Sequence, residues 1–260
     1  MPFFCVMDSS NFQIQEGKRV YFASDFHLGS CPQSSSVERE RKLIRWLDQI
    51  KGDAQMLILL GDVFDFWFEY QHVVPKGYVR FLGKLAEFHD AGIEVVLFSG
   101  NHDIWYRDYL EREIGIRIWH NPVSMQLGAM KFFLAHGDAL GKGDAKFKVI
   151  KKVFTNPLCI WLFRWLHPDV GVWLARVWSS SSRTHEDPNE ARVKEERLVA
   201  YCEELQMKSQ HDYYVFGDTH RSAFRAIANS SFYVNLGEWF DQCSYGVYDG
   251  AQLLLKQYED

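Results

Sequence analysis

Short apolar runs recur along the chain, and each one is followed at once by glycine and polar residues. The runs are rich in Val, Ile, Leu, Phe and Tyr and are too short for helices, so they predict buried strands. Asp, His or Asn residues end five of these runs, which cover residues 19–27, 56–65, 93–103, 131–138 and 213–220.

Amphipathic stretches separate the first three predicted strands. Residues 37–50 place charged side chains opposite one aliphatic stripe, which consists of Leu43, Ile44, Leu47 and Ile50. Residues 79–92 repeat this pattern, and Gly92 suits the end of a helix. Strands and helices in alternation predict an α/β architecture. The C-terminal part predicts further strands, with a hairpin turn at Asp249 and Gly250.

Residues 141–205 depart from this alternation and have helical character. They include four tryptophans, and between Gly141 and Arg183 eight Lys or Arg residues stand against two Asp residues. A serine-rich run at 179–189 predicts a loop. We predict a single domain over residues 1–260, with a helical, aromatic and basic cap inserted at 141–205.

Composition limits the classes of function. Hydrophobic residues make up 47% of the chain and charged residues 24%, as in ordinary globular proteins. The net charge is −5, so no overall basic field indicates a nucleic-acid partner. The five cysteines form no CxxC pair, which favours reduced thiols in the cytoplasm. We expect neither a signal peptide nor a membrane span, because no stretch approaches about 18 consecutive apolar residues.

The polar residues at the strand ends are the candidate chemical site. The carboxyl ends of strands in an α/β sheet form the crevice where ligands bind, so we expect eight side chains to meet there: Asp25, His27, Asp62, Asn101, His102, His136, Asp218 and His220. Asp25 and His27 are two residues apart and can hold one cation together. Any one such motif is often only a turn or a cap, but five in order indicate a metal site.

The ligand types restrict the metal. Carboxylate, amide and imidazole groups without thiolates favour Mn²⁺, Mg²⁺, Fe or Zn. A carboxylate such as Asp62 can bridge two cations, and two cations about 4 Å apart can hold a phosphoryl group during displacement.

The ordered motifs DFH (25–27), GD (61–62), GNHD (100–103), HGD (136–138) and GDTH (217–220) resemble those of the calcineurin-like metallophosphoesterases. The resemblance implies a two-sheet β-sandwich flanked by helices, with a dinuclear site at the strand ends. It implies that one metal is held by Asp25, His27 and His220, that Asp62 bridges, and that the second metal is held by Asn101 and His136. It also implies that His102 lies beside the phosphoryl group as an acid or electrostatic stabiliser, oriented by Asp103.

The strings YFASDFHLG, GDVFDFWFEY, GNHDIW and AHGD, followed by an aromatic and basic segment, are similar to the UDP-2,3-diacylglucosamine pyrophosphohydrolases, particularly the Bacteroidetes type. This narrower resemblance implies an enzyme of lipid A synthesis. Such an enzyme uses two divalent ions, with Mn²⁺ the first candidate, and releases UMP and 2,3-diacylglucosamine 1-phosphate. It implies substrate contacts at Asn101, His102 and Asp144, and we assign Arg176 and Arg183 of the cap to the same task.

One position departs from the family pattern. The family usually reads GHxH at its last motif, with the first His on the second metal, whereas this chain has Asp218 there. Two divalent cations with Asp25 and Asp62 leave a formal charge of +2, which Asp218 lowers to +1. We therefore expect Asp218 to bind the second metal with lower activity or an altered metal preference.

The composition of residues 147–178 is typical of a helical surface that contacts lipid. We expect a cytoplasmic protein, peripheral on the inner membrane, whose cap shelters acyl chains; a helical layer packed on the sandwich is the alternative. We expect no protein partner.

Two other functions stay open: hydrolysis of another phosphoester, such as a nucleotide or phospholipid, and lipid binding with little or no catalysis because of Asp218.

Overall fold

The computed structural model describes residues 6–30, 33–143, 145–183, 188–227 and 230–260. Within these ranges the chain forms twelve strands and seven helices. Two six-stranded sheets pack face to face, with helices on their outer faces. The predicted α/β class and two-sheet sandwich are therefore confirmed.

The first sheet has the strand order β12-β11-β2-β3-β4-β5. Its strands are β2 (Arg19–Ala23), β3 (Ala54–Leu60), β4 (Glu94–Phe98), β5 (Arg117–Trp119), β11 (Ser244–Tyr248) and β12 (Leu253–Gln257). The four strands β2 to β5 are parallel, and their connections carry α1 (Gln33–Ile50), α2 (Val79–Asp90) and α3 (Tyr109–Ile114). Asp249 and Gly250 form the predicted turn between β11 and β12, and Gly250 has a φ of 97°.

The second sheet has the strand order β1-β6-β7-β8-β10-β9. Its strands are β1 (Val6–Phe12), β6 (Val123–Leu127), β7 (Met130–Leu134), β8 (Tyr213–Phe216), β9 (Ser222–Ala226) and β10 (Phe232–Leu236). Strands β7, β8 and β10 run parallel to one another. Three of the five predicted metal-bearing strands thus belong to the first sheet, and two belong to the second.

The core lies on both faces of the first sheet, which explains why its parallel strands are apolar throughout. Alternate residues such as Phe22 and Ile58 face the second sheet, where Phe22 stacks on Phe132 with ring centroids 5.7 Å apart. Their neighbours Tyr21 and Leu57 face α1 and α2 instead. This packing fixes both sheets, so that polar groups at their strand ends are held on a rigid frame.

Residues 145–206 form α4 (Ala145–Phe154), α5 (Pro157–Arg164), α6 (Pro168–Arg183) and α7 (Pro188–Gln206). Asn156 caps α5, since its side chain accepts from the backbone N–H of Leu158, and Pro157 follows at the first helical position. Leu198 and Cys202 of α7 pack on the second sheet. None of the described helices has the length and hydropathy needed to cross a bilayer.

The serine-rich run was predicted to be a loop, but α6 continues through Ser179 to Arg183. Ser179 is buried, and its hydroxyl donates to Asp65 Oδ1 at 2.8 Å. This tertiary contact overrides the weak helix propensity of serine, so the prediction was wrong for 179–183. It was also wrong for residues 188 and 189, which begin α7, and residues 184–187 lie outside the described residues.

Candidate metal centre

The predicted ligands lie on sharp turns at the strand ends. Asp25, His27, Asp62, Asp218 and His220 all have φ values between 43° and 64°, in the left-handed region. Outside glycine this conformation is uncommon and costs about 1–3 kcal/mol per residue unless the surroundings enforce it. The chain therefore holds backbone strain at five of the predicted ligand positions.

One group of side chains forms a compact set of ligand atoms. Donor atoms of Asp25, His27, Asp62 and His220 all lie within 4.8 Å of one another. His220 Nε2 lies 3.2 Å from both Asp25 Oδ1 and His27 Nε2. No described residue donates a conventional hydrogen bond to the buried Asp25 Oδ1. A carboxylate and two imidazoles that aim their donor atoms at one point fit a divalent cation.

A second group surrounds His136. Its Nδ1 lies 2.7 Å from the carbonyl oxygen of Leu60, which can only accept, so Nδ1 carries a proton and Nε2 is the nitrogen that a metal would bind in place of a second proton. His136 Nε2 lies 3.1 Å from Asn101 Oδ1 and 3.3 Å from Asp62 Oδ2. The same Asp62 Oδ2 lies 3.7 Å from His27 Nε2. Asp62 thus stands between the two groups, where a bridging carboxylate would be.

Electrostatics support this position of Asp62. Burial raises the pKa of Asp62, but the imidazoles of His136 and His102 outweigh it and hold this pKa well below its usual range. Burial lowers the pKa of His136, but the Asp62 carboxylate raises it well above its usual value. The pocket therefore favours an anionic Asp62 beside positive charge, a condition that a divalent cation also satisfies.

Three glycines leave room for these side chains. A Cβ at Gly100 would lie 2.1 Å from Asp62 Oδ1, and one at Gly217 would lie 2.4 Å from Asp25 Oδ2. A Cβ at Gly61 would lie 2.6 Å from His136 Nδ1. These distances are far below van der Waals contact, so the glycines of the GNHD and two GD motifs form a cradle around the candidate ligands.

Asp218 is close to the site, and its carboxylate also contacts a lysine. Its backbone N–H donates to Asp25 Oδ2 at 3.3 Å, while its Oδ1 lies 3.4 Å from Lys194 Nζ on α7. Burial raises the pKa of Asp218, but Lys194 and His136 lower it below the usual value. No sequence motif indicated Lys194, whose charge offsets that of Asp218. Metal binding by Asp218 stays a prediction.

Asp103 accepts hydrogen bonds from the backbone of the neighbouring turns. Its carboxylate accepts from the backbone N–H groups of Gly100 at 2.7 Å and Val63 at 2.8 Å, and from the hydroxyl of Tyr106 at 2.6 Å. The His102 ring lies instead against Asp65, with Nδ1 3.2 Å from the Asp65 carbonyl oxygen. The His102 backbone N–H donates to Asp62 Oδ1 at 2.9 Å. The predicted catalytic roles of His102 and Asp103 stay predictions.

Asp65 is a site residue that the sequence reasoning missed. Its Oδ1 lies 3.4 Å from His27 Nδ1 and 3.8 Å from His102 Nδ1. A carboxylate beside the second ring nitrogen can orient the ring of a histidine that binds a metal. The second Asp of GDVFD, three residues after Asp62, was the signal that could have revealed it.

The structure gives no side-chain position for three of the predicted substrate contacts. Asp144 lies outside the described residues, as do the side chains of Arg176 and Arg183. A cavity of about 540 Å³ separates the 68–69 and 104–107 segments from α4 and α5. Lys151 and Arg164 line it together with Trp105 and Trp161, so it offers both cationic and apolar contacts.

The helices next to this cavity carry an exposed aromatic surface. Trp161 is 52% exposed, Trp165 75% and Trp173 61%, and several Leu and Val residues of α5 and α6 are exposed with them. Large apolar surfaces of this kind mark sites of contact with proteins, ligands or membranes.

Comparison with known proteins agrees with the motifs. A family model described as calcineurin-like phosphoesterase matches residues 18–222. The UDP-2,3-diacylglucosamine hydrolase of Porphyromonas gingivalis is 35% identical over 257 residues, which cover 93% of this chain and 98% of that protein. The Pseudomonas putida enzyme of the same name is 26% identical, covering 85% and 90%. Vacuolar protein sorting 29 from Cryptosporidium parvum aligns with a TM-score of 0.42 and 14% identity, covering 95% of this chain and all of that one.

Proposed function

The chain belongs to the calcineurin-like phosphoesterase family, and on this premise we propose that it hydrolyses the diphosphate of UDP-2,3-diacylglucosamine to UMP and 2,3-diacylglucosamine 1-phosphate. The substrate is suggested by the two relatives above, which carry its name and match most of the chain. The position of Asp62 between two sets of ligand atoms carries the proposal of a dinuclear hydrolase.

We assign one metal to Asp25, His27 and His220, and the other to Asn101 and His136, with Asp62 shared. The oxygen-rich set favours Mn²⁺, with Mg²⁺, Fe or Zn as alternatives. When bound, two such ions supply Lewis acidity for water attack at a phosphoryl group. The buried Asp25 Oδ1 and the glycine cradle support this assignment.

We assign His102 to the phosphoryl group of the substrate. Its backbone is tied to Asp62, and its ring packs edge-on against His27 with centroids 4.7 Å apart. The leaving phosphate departs as an anion and needs little protonation, so a hydrogen bond from the His102 ring to a phosphoryl oxygen would suffice. Asp103 would hold the backbone of residues 62–64 and 100 in place during the reaction, because its carboxylate accepts hydrogen bonds from their N–H groups.

The lipid part of the substrate requires an apolar site. We assign the acyl chains to the 540 Å³ cavity beside α4 and α5, and the anionic groups to Lys151 and Arg164, which line it. Asp144, Arg176 and Arg183 stay predicted substrate contacts. The exposed tryptophans of α5 and α6 would then contact the cytoplasmic face of the inner membrane, which makes the protein peripheral there.

A weakly active lipid-binding relative is the second candidate function. The observation that favours it is the ion pair between Asp218 and Lys194, because a carboxylate engaged by lysine has fewer lone pairs for a second metal. Hydrolysis of a different phosphoester is the third candidate and would use the same metal site.

A product assay separates these candidates. Purified protein is incubated with UDP-2,3-diacylglucosamine and Mn²⁺, and UMP is measured beside elemental analysis of bound metal. UMP release with two metals per chain is expected, and Asp62→Asn should abolish both. Hydrolysis of a generic diester without UMP release would point to another phosphoester, and one metal without turnover would point to the lipid binder.

A further inference from the structure

Arg39 is a buried cation whose side chain contacts the turn that carries two predicted ligands. It projects from α1 and is 6% exposed. Its Nε donates to the carbonyl oxygen of Phe26 at 2.7 Å, and its Nη2 donates to the carbonyl oxygen of His27 at 2.8 Å and to Ser30 Oγ at 2.6 Å. One guanidinium therefore donates to three residues of the segment 26–30.

The same guanidinium is linked to the His27 ring through Phe240. The Arg39 Cζ atom lies 4.3 Å from the centroid of the Phe240 ring. Phe240 also stacks on the His27 imidazole, with centroids 5.5 Å apart and planes 28° from parallel. The backbone carbonyl and the ring of His27 are thus both held by contacts that begin at Arg39.

The turn needs such support because its conformation is strained. Asp25 and His27 have φ values of 56° and 43°. Residues in the left-handed region persist only where their surroundings fix them. The Phe26 carbonyl oxygen accepts from the buried Arg39 guanidinium, so losing the guanidinium would leave this acceptor unsatisfied, while the His27 carbonyl oxygen would keep the Ser30 backbone N–H at 3.2 Å. The turn would then be less constrained.

We propose that Arg39 is a positioning residue of the metal centre, which sets the affinity for the divalent cation by fixing the Asp25–His27 turn and the His27 ring. The proposal rests on the metal centre of the proposed function and does not depend on its substrate. Lysine cannot replace arginine here, because a single ammonium cannot match the planar fork that reaches two carbonyl oxygens and a hydroxyl.

Titration of the metal-free protein with Mn²⁺ by calorimetry tests this proposal. Arg39→Lys keeps the charge and removes the fork, and it should weaken Mn²⁺ binding by about 10–100-fold, as loss of a group that orients a metal ligand does. Phe240→Leu should weaken it by about two- to tenfold through loss of the ring contacts.

Glu40→Gln is the matched control. Glu40 is the next residue of α1, is equally buried, and accepts from the backbone N–H of Phe81 at 3.2 Å, away from the turn. This variant should lower the melting temperature while its Mn²⁺ affinity stays that of the wild type. A purely structural role of Arg39 would instead make Mn²⁺ affinity follow melting temperature across all variants.

Wild-type Mn²⁺ affinity in Arg39→Lys would overturn the proposal, as would an equal loss in Glu40→Gln. If Arg39→Lys does not fold, unchanged affinity in Phe240→Leu would overturn it and reduced affinity would support it. Wild-type protein that binds Mn²⁺ but releases no UMP would refute the proposed substrate while leaving the Arg39 result intact. Wild-type protein that binds no Mn²⁺ would refute both.

Discussion

Replacing Gly100 by alanine adds one methyl group at the centre of the candidate metal site. The backbone of Gly100 lies outside the left-handed region, so alanine meets no conformational penalty there, and any effect is steric. The new Cβ would lie 2.1 Å from Asp62 Oδ1 and 2.6 Å from the Asp62 backbone nitrogen.

The size of the effect follows from these distances. Ordinary contact begins at 3.4 Å, so the Asp62 carboxylate has to retreat by about 1.3 Å. The Asp62 backbone cannot follow, because Asp103 binds the N–H groups of Asp62, Val63 and Phe64. A metal ligand tolerates displacements of about 0.2 Å, and a misplacement of about 1 Å can cost a hundredfold in rate. We expect at least this loss, with about 1–3 kcal/mol of destabilisation from overpacking.

UMP release and bound metal are measured for Gly100→Ala across a range of Mn²⁺ concentrations. The control is Gly83→Ala, which lies in α2 with nothing within 4 Å of the added methyl and should stabilise the protein by about 1 kcal/mol. A wild-type rate and metal content in Gly100→Ala would refute the assignment of Asp62 as the shared ligand.

Three further predictions use other parts of the structure. Asp218→His should raise the rate of UMP release and the metal count, because it removes a negative charge beside the ions. Adding Lys194→Gln should raise both again, because the Lys194 ammonium is a positive charge near the second ion; an unchanged rate would contradict the charge argument. Burial and Lys131 lower the pKa of His211 to about 4, below its unfolded value of about 6.5. The contribution of His211 to the free energy of unfolding should therefore be fully present above pH 6.5 and fall by about 3 kcal/mol as the pH drops to 4. Denaturant titrations should show a smaller loss of stability over this range in His211→Gln. Trp165→Ala with Trp173→Ala should reduce binding to anionic vesicles in flotation assays while hydrolysis in detergent stays at the wild-type rate, and unchanged flotation would contradict lipid contact by this surface.

The sequence by itself determined the family, the order of the strands that carry the site and the identity of most candidate ligands. This was possible because each ligand directly follows an apolar strand, and strand and motif are both local features of the chain. DFH, GNHD and HGD could be placed at strand ends without knowing which sheet each strand joins. The amphipathic patterns of α1 and α2 are equally local, and Gly92 ends α2 as predicted, with a φ of 78°.

Only the tertiary structure decided what supports those ligands. The structure divides the five motif-bearing strands between two sheets, so the site lies where the carboxyl ends of strands from both sheets meet. Ser179 reaches Asp65 across 114 positions of sequence, and Lys194 reaches Asp218 from a separate helix. Arg39 looks like any charged residue on the polar face of an amphipathic helix, yet it is buried against the His27 turn. No periodicity or spacing encodes such contacts, because they depend on how elements distant in sequence pack together and on which side chain is then left facing an unsatisfied carbonyl or carboxylate.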